Sequence, residues 1–391
     1  MIRLGVVGHG GRISYVIKGE VRAIDPDVRV VGVVDPDEGG ARRRLDECDR
    51  EDVVFYKTLD AMVRSARLDA LLIGTRCHLH APYAIQAAKY DLPLYLEKPV
   101  AIDMRQATAL EEAFEGSACK VVVSFPLRVS PLCVLAKQYL DRGAVGSAEH
   151  VTATNYVNYG TCYWEQGYRN YKITQGLFLQ KATHDFDYVS YLMGSSIVRV
   201  GAMANWGRVF GGDKPAGLEC SACDEARDCL ESPQNRRAHG TSGSHSDHPC
   251  VFGIDCGTPQ TGTNEDCSSA LFEFASGAHG VYSQVFFTRR DASLRGAIIS
   301  GYDGTLSFDW YKDELRLVHH HEPCTETLKP DSSLGHFGGD RMLAADFLGL
   351  INGAATSRTP IEMGIQSVYA CLAAKRSAQT GRFEKVRQVG G

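Results

Sequence analysis

A surplus of basic charge is missing from this sequence. Lys and Arg number 42 against 47 Asp and Glu, the formal net charge is -5, and no long run of one sign occurs. A groove built to hold a phosphate backbone is therefore not expected, and neither is nucleic acid as a partner. Long apolar runs are missing too. No stretch approaches the ~20 residues that span a bilayer, so no membrane partner is expected. The first residues, 2–7, read directly as a strand rather than as a cleavable leader, which places the protein in the cytoplasm. A paired cysteine framework is also lacking. The thirteen cysteines are odd in number and mostly scattered, as in a reducing compartment.

What is present is a strand–helix alternation over the first ~125 residues. Segments 2–7, 28–34, 69–74, 92–96 and 120–124 are short apolar runs, as strands buried on both faces should be. Helical patterns separate them, so the region reads as a parallel sheet covered on both sides. After Pro126 the character changes. Segment 176–193 reads as one helix, and later strands are longer and pair as hairpins; 269–274 and 280–287 flank the turn Ala275-Ser276-Gly277. Two helices, 340–351 and 361–378, close the chain. The expected class is α/β, with a Rossmann domain at 1–125 and an α/β domain at 126–391 carrying a large open, mainly antiparallel sheet. Residues 207–266 lack periodicity and form an insert rich in Cys and His.

The first strand runs into Gly8-His9-Gly10-Gly11-Arg12-Ile13. Glycines there permit a tight turn and close approach of a pyrophosphate, and the next helix aims its free N–H groups at it. The strict pattern wants Gly or Ala at position 13. Asp35 ends the second strand, where a carboxylate accepts hydrogen bonds from the ribose hydroxyls and repels an added phosphate. Together they point to NAD. Glu97-Lys98-Pro99 follows the strand 92–96. A lysine at this sheet edge can neutralise an alkoxide or join in proton transfer.

Glu97-Lys98-Pro99 after such a nucleotide-binding half resembles the glucose–fructose oxidoreductase, inositol dehydrogenase and rhizopine-catabolism family (Gfo/Idh/MocA). Thr75-Arg76-Cys77-His78-Leu79-His80-Ala81 resembles that family's Thr-Pro-Asn-x-x-His-Ala segment. Arg128 with Pro131, Thr183-His184-Asp185-Phe186-Asp187, and Gly335-His336-Phe337-Gly338-Gly339-Asp340 resemble its later motifs. The resemblance implies an NAD-dependent oxidoreductase acting on a sugar or polyol, and a homo-oligomer formed through the open sheet. It implies cofactor contacts from Gly8, His9, Gly10, Gly11, Arg12, Ile13, Asp35, Thr75, Arg76, His80, Glu97 and Lys98. Lys98 would sit at the reacting carbon and His184 would be the acid–base histidine. Many members carry Asp where this chain has Gln180, and Lys181 next to it is a further catalytic candidate. Arg128, Trp164, Tyr168, Arg169, Lys181, His184 and His336 are candidates to line a substrate pocket.

Two further expectations follow. Cys220-x-x-Cys223-x5-Cys229 with Cys250 has the ligand types of a structural zinc site. The same residues also fit a second activity, an NAD-dependent glycoside hydrolase that oxidises, eliminates, adds water and reduces again. The basic residues Arg128, Arg169 and Lys181 would then suit an anionic sugar such as a sulfoquinovoside.

Overall fold

A computed structural model describes residues 1–256, 263–330, 335–354 and 356–391. Part of the expected insert, 257–262, lies outside the described residues. The chain forms two compact units: Met1–Val134 with Ser332–Tyr369 and Gln388–Gly391, and Leu135–Asp331 with Ala370–Arg387.

In the first unit, β1 (Arg3–Val7), β2 (Arg29–Val34), β3 (Val54–Phe55), β4 (Ala70–Ile73), β5 (Leu94–Leu96) and β6 (Val121–Val123) form one sheet. Their order is β3-β2-β1-β4-β5-β6, every pair parallel. This is the doubly wound dinucleotide-binding order, whose ligands sit at the carboxyl ends of the strands where the order reverses, here beside β1 and β4. Strands β4, β5 and β6 are buried throughout, which explains their unbroken apolar runs. Residues 335–354, expected with the later part of the chain, fold with this unit. Their helix Gly339–Ile351 places Leu343, Ala344 and Phe347 in the same core as Val6, Ile17 and Val33, and Phe347 meets Tyr95 edge-on at 5.7 Å.

The second unit is built on β7 (His150–Tyr156), β8 (Ile197–Asn205), β9 (Cys267–Phe274), β10 (His279–Val285), β11 (Leu294–Ser300), β12 (Gly304–Asp309), β13 (Glu314–His319), β14 (Thr325–Leu328) and β15 (Glu384–Lys385). The order is β14-β13-β12-β11-β7-β10-β9-β8-β15. All pairs are antiparallel except β10 with β7. The β9–β10 hairpin is the one expected from its turn. Helix Thr183–Met193 covers one face, with Phe186 edge-on to Phe272 at 4.7 Å and Tyr188 edge-on to Trp310 at 4.9 Å. Gly194, in the left-handed region at φ 60, ends this helix. On the opposite face the register sets Leu271, Val281, Thr152 and Ile298 side by side, and Leu271 and Ile298 are half exposed.

The single helix expected over 176–193 is instead two, Leu177–Gln180 and Thr183–Met193. Lys181 and Ala182 both donate their N–H to the Leu177 carbonyl, so the turn closes without extending. A regular helix would put Lys181 and Asp185 one turn apart, where they would pair. The break sends the two side chains to different partners.

Candidate active site

The expected cofactor residues gather at one edge of the first unit's sheet. Residues 8–13 follow β1, Asp35 follows β2, Thr75 and Arg76 follow β4, and Glu97 and Lys98 follow β5. Gly8 has φ +77, and a Cβ there would lie 2.7 Å from the Thr75 backbone nitrogen, so only glycine fits the turn. Its N–H bonds back to Val34 O at 2.8 Å.

The position that departs from the strict pattern is explained by its partner. Ile13 is fully buried, and its Cγ1 lies 1.9 Å from where a Cβ of Gly74 would stand. The close helix–strand approach is kept with its glycine on the strand. Ile13 is thus core rather than a cofactor contact.

The turn fits a nicotinamide dinucleotide. Gly10 caps the following helix without a side-chain hydrogen bond, and Ser14 N–H is the first to bond back, to Gly10 O at 3.0 Å. A Cβ on Gly11 would meet nothing within 4 Å, and one on Gly10 only Gly74 O at 4.0 Å, so this surface is open to a pyrophosphate. Asp35 accepts the His9 N–H through Oδ2 and the Asp37 N–H through Oδ1, each at 2.8 Å. Each oxygen keeps a lone pair for a ribose hydroxyl. Asp35→Ala is expected to weaken NAD binding ~10–100-fold, the worth of about one or two hydrogen bonds to a charged group, and to weaken NADP binding less. Equilibrium titration with both nucleotides checks this; unchanged NAD affinity would leave Asp35 only its turn-forming role.

Three other expected cofactor residues have different work. His80 is buried, and its Nδ1 and Nε2 lie 2.8 and 3.0 Å from the carbonyls of Pro99 and Thr75. It ties the loop after β4 to the loop after β5, and burial lowers its pKa. Arg12 spans Asp340 with both terminal nitrogens at 2.9 and 2.6 Å and gives its Nε to Glu97 at 3.1 Å. Glu97 also accepts Ser124 Oγ at 3.1 Å. Arg12 and Glu97 therefore satisfy each other instead of offering free groups to a ligand. His336, in the left-handed region at φ 43, brings Nδ1 to 2.7 Å from Asp340 Oδ2. Burial alone would raise the Asp340 pKa, but the hydrogen bonds and charges of Arg12 and His336 hold it well below the usual carboxylate range. His9 is buried as well, its N–H given to Asp35 and its carbonyl accepting from Arg44 Nε at 2.7 Å, so it shapes the turn.

Lys98 stands between two anchored neighbours, Glu97 and Pro99, and is itself half-buried. Its charge reaches the buried Cys77 thiol, whose pKa burial raises and Lys98 opposes. The segments 75–81 and 97–99 are thus neighbours, as their motifs require.

In the second unit, His184 and Lys181 are both buried at the broken helix. Asp185, to which the motif implies no role, is the centre of this region. Its Oδ1 accepts Arg295 Nε at 3.0 Å and a terminal nitrogen of Arg295 at 2.8 Å. Its Oδ2 accepts Asn155 Nδ2 at 2.8 Å and the Tyr282 hydroxyl at 2.9 Å. Lys181 Nζ donates to the Tyr159 hydroxyl at 2.5 Å. Burial first, then the charge of Arg295, lower the Lys181 pKa to about 7, with Asp185 and Cys162 pulling the other way.

Three expected pocket residues are not placed as expected. Trp164 is 1% exposed and packs with Phe210, Val251 and Phe286. Tyr168 packs against the same cluster. Arg169 is held by Asp255 at 2.5 Å and by the carbonyls of Trp164 and Cys250 at 3.1 and 2.9 Å. These side chains anchor the insert from outside it, Trp164 and Tyr168 supplying apolar surface for Phe210 and Val251, and Arg169 a brace to Cys250 and Asp255. Arg236 braces it too, buried between Glu165 and Glu231, each at 2.5 Å.

The four expected zinc ligands are neighbours: the Cys220 thiol, raised by burial, is raised further by Cys250 and Cys229, and the Cys250 thiol, also raised by burial, by Cys223 and Cys229. Backbone bonds from Cys220 to His248 O and from Cys250 to Leu218 O lay their segments side by side, and none of the thirteen cysteines, all among the described residues, is in a disulfide. Cys220 Sγ faces the His248 ring at 3.7 and 3.8 Å. Among the described residues, the trio whose ligand atoms all fall within 4.8 Å of one another is Asp46, Cys48 and Asp49. Asp46 and Asp49 are already paired with Arg22. No helix among the described residues is long and apolar enough to cross a membrane.

Comparison with known proteins follows the same division. The description "Oxidoreductase family, NAD-binding Rossmann fold" matches residues 2–125, and "GFO/IDH/MocA C-terminal domain" matches residues 134–307. The chain is 28% identical to an inositol 2-dehydrogenase of Rhizobium meliloti (strain 1021) over 209 residues, 52% of this chain and 58% of that protein. It is 26% identical to a scyllo-inositol 2-dehydrogenase (NAD(+)) of Bacillus subtilis (strain 168) over 202 residues, 51% of this chain and 56% of that protein. The chain thus spans a little over half the length of these curated relatives. Among solved structures, levoglucosan dehydrogenase in complex with NADH and levoglucosan superposes with a TM-score of 0.75 at 18% identity, covering 99% of this chain and 100% of that one. An oxidoreductase domain protein from Kribbella flavida gives 0.77 at 17% identity, covering 99% of each chain. At this identity the two structures speak for the fold. With both halves matched in order, the chain belongs to the Gfo/Idh/MocA oxidoreductase family and carries its NAD-binding Rossmann domain.

Proposed function

We propose that this protein transfers a hydride between NAD and a secondary alcohol of a sugar, polyol or glycoside. The observation that carries this reading is Lys98, fixed at the carboxyl edge of a nucleotide-binding sheet by its anchored neighbours Glu97 and Pro99. A cation there can neutralise the oxygen that becomes anionic as the alcohol loses its proton. His184 and Lys181 are the candidates to take up or relay that proton. The nicotinamide, when bound, supplies the two-electron step. The curated relatives named as inositol dehydrogenases support a polyhydroxylated substrate. The half-exposed Leu271 and Ile298 on the open sheet face support assembly with further copies of the chain.

The hydrolytic alternative on an anionic sugar draws less support. It leaned on three cations, of which Arg169 is committed to Asp255 and Lys181 has its pKa lowered to about 7 by burial. A substrate carrying deuterium on the oxidised carbon tests the proposal. Deuterium recovered in the reduced nicotinamide is the expected result; none in the nicotinamide, with product formed, would overturn it.

A further inference from the structure

Lys181 is an unusual lysine in its surroundings. It is 6% exposed, and its close polar partner among the described residues is a phenol oxygen rather than a carboxylate. Asp185 already takes four donors from Arg295, Asn155 and Tyr282. The ammonium instead has the Tyr159 oxygen at 2.5 Å and the ring centres of Tyr159 and Tyr163 at 4.9 and 6.0 Å. Aromatic faces repay only part of the hydration that a buried ammonium loses. The charged and titratable groups around it come from four places. They are Arg295 on β11, Asp185 on helix Thr183–Met193, Cys162 and Tyr163 on helix Cys162–Glu165, and Tyr311 beyond β12, which feels Tyr159. Arg295 opposes the ammonium; Asp185 and Cys162 favour it.

Tyr159 faces the other way as well. It is 37% exposed, while burial of its hydroxyl raises its pKa and keeps it a neutral phenol. A phenol that accepts from an ammonium must direct its own O–H elsewhere. When the amine is neutral, the same bond can reverse, with the phenol donating to nitrogen and its oxygen free to accept. The 2.5 Å contact is short enough for this exchange without movement of either residue.

We propose that Tyr159 and Lys181 form an acid–base couple, Tyr159 touching the reacting hydroxyl of the substrate and Lys181 storing its proton behind it. This rests on the oxidoreductase reading. In the oxidation direction the alcohol C–H bond breaks and its electron pair leaves with the hydrogen for NAD. The alcohol O–H bond breaks and its proton passes to the Tyr159 oxygen. The Tyr159 proton passes to Lys181, which becomes an ammonium. The alcohol becomes a ketone and Tyr159 ends as it began, so no buried phenolate is formed. Reduction runs the same steps backwards.

The test joins a titration with kinetics. In protein carrying 15N at lysine Nζ, the resonance lost in Lys181→Arg is expected to titrate near neutral pH in the wild type. Its midpoint is expected to move in Tyr159→Phe. The oxidation rate should rise with pH through the same midpoint. Tyr159→Phe should lower kcat ~100-fold or more, within the range of acid–base catalysis, with KM little changed. Lys181→Ala should lose the pH limb and be partly rescued by small primary amines. A Lys181 resonance titrating at the ordinary ~10.4, or a Tyr159→Phe enzyme as fast as the wild type, overturns the couple and leaves the oxidoreductase reading intact. A wild type that reduces no NAD with any sugar or polyol overturns both.

Discussion

Lys98→Ala is expected to slow hydride transfer ~10²–10⁴-fold, the span that a positioned acid–base or charge-stabilising group contributes, while NAD still binds. The effect follows from how the residue is held. The Glu97 carboxylate is gripped by Arg12 and Ser124, and the Pro99 carbonyl by His80. The backbone on either side of Lys98 therefore has little freedom, and preorganisation is what makes a charge effective in catalysis. Phosphate and ribose recognition are assigned to residues 8–11 and Asp35, so nucleotide affinity should change far less than rate. Lys98→Arg keeps the charge but replaces a compact ammonium by a planar fork. It should recover only part of the activity. Rates with saturating NAD, beside nucleotide titration of each variant, check the split. Full activity in Lys98→Ala would make this a surface lysine.

The second large effect is on stability. Asp185→Asn is expected to destabilise the protein by about 3–5 kcal/mol, the usual result of removing one partner from a buried ion pair. Arg295 is 3% exposed and bonds Asp185 through two nitrogens. The asparagine would leave that guanidinium charged in a buried setting. Removing both charges should be milder than removing one, so Asp185→Asn with Arg295→Met should recover part of the loss. Urea unfolding of the three proteins measures this. A loss below about 1 kcal/mol in Asp185→Asn would show that the pair is not holding the second unit together.

The fold was largely readable from the chain, and the reason is local. Strands β4 to β6 are buried along their whole length, so they appear as uninterrupted apolar segments. The turn at Gly8 and the acid at Asp35 follow their strands directly. What escaped were partnerships between residues far apart. Arg12 and Asp340 lie 328 residues apart, and Asp185 and Arg295 lie 110 apart; no periodicity links such pairs. Tyr159 was missed for the same reason, since its meaning comes only from Lys181. Ile13 looked like a defect in a glycine pattern until Gly74 opposite it explained the spacing. Trp164 and Arg169 suit a sugar by residue type, an aromatic face and a planar basic fork, but their partners Phe210 and Cys250 lie far along the chain in the insert. Apolar residues at helical spacing over 176–193 predict one helix running straight through Lys181. The break appears only when the separate partners of Lys181 and Asp185 are known.

The most direct test of the central claim is to incubate the purified protein with sugars, polyols and aryl glycosides, with and without added NAD. Reduced nicotinamide and released aglycone would be followed together. The account predicts reduced nicotinamide accumulating in step with a ketone product, and only when NAD is supplied. Aglycone release without net reduction would contradict it and establish a redox-neutral glycosidase on the same scaffold.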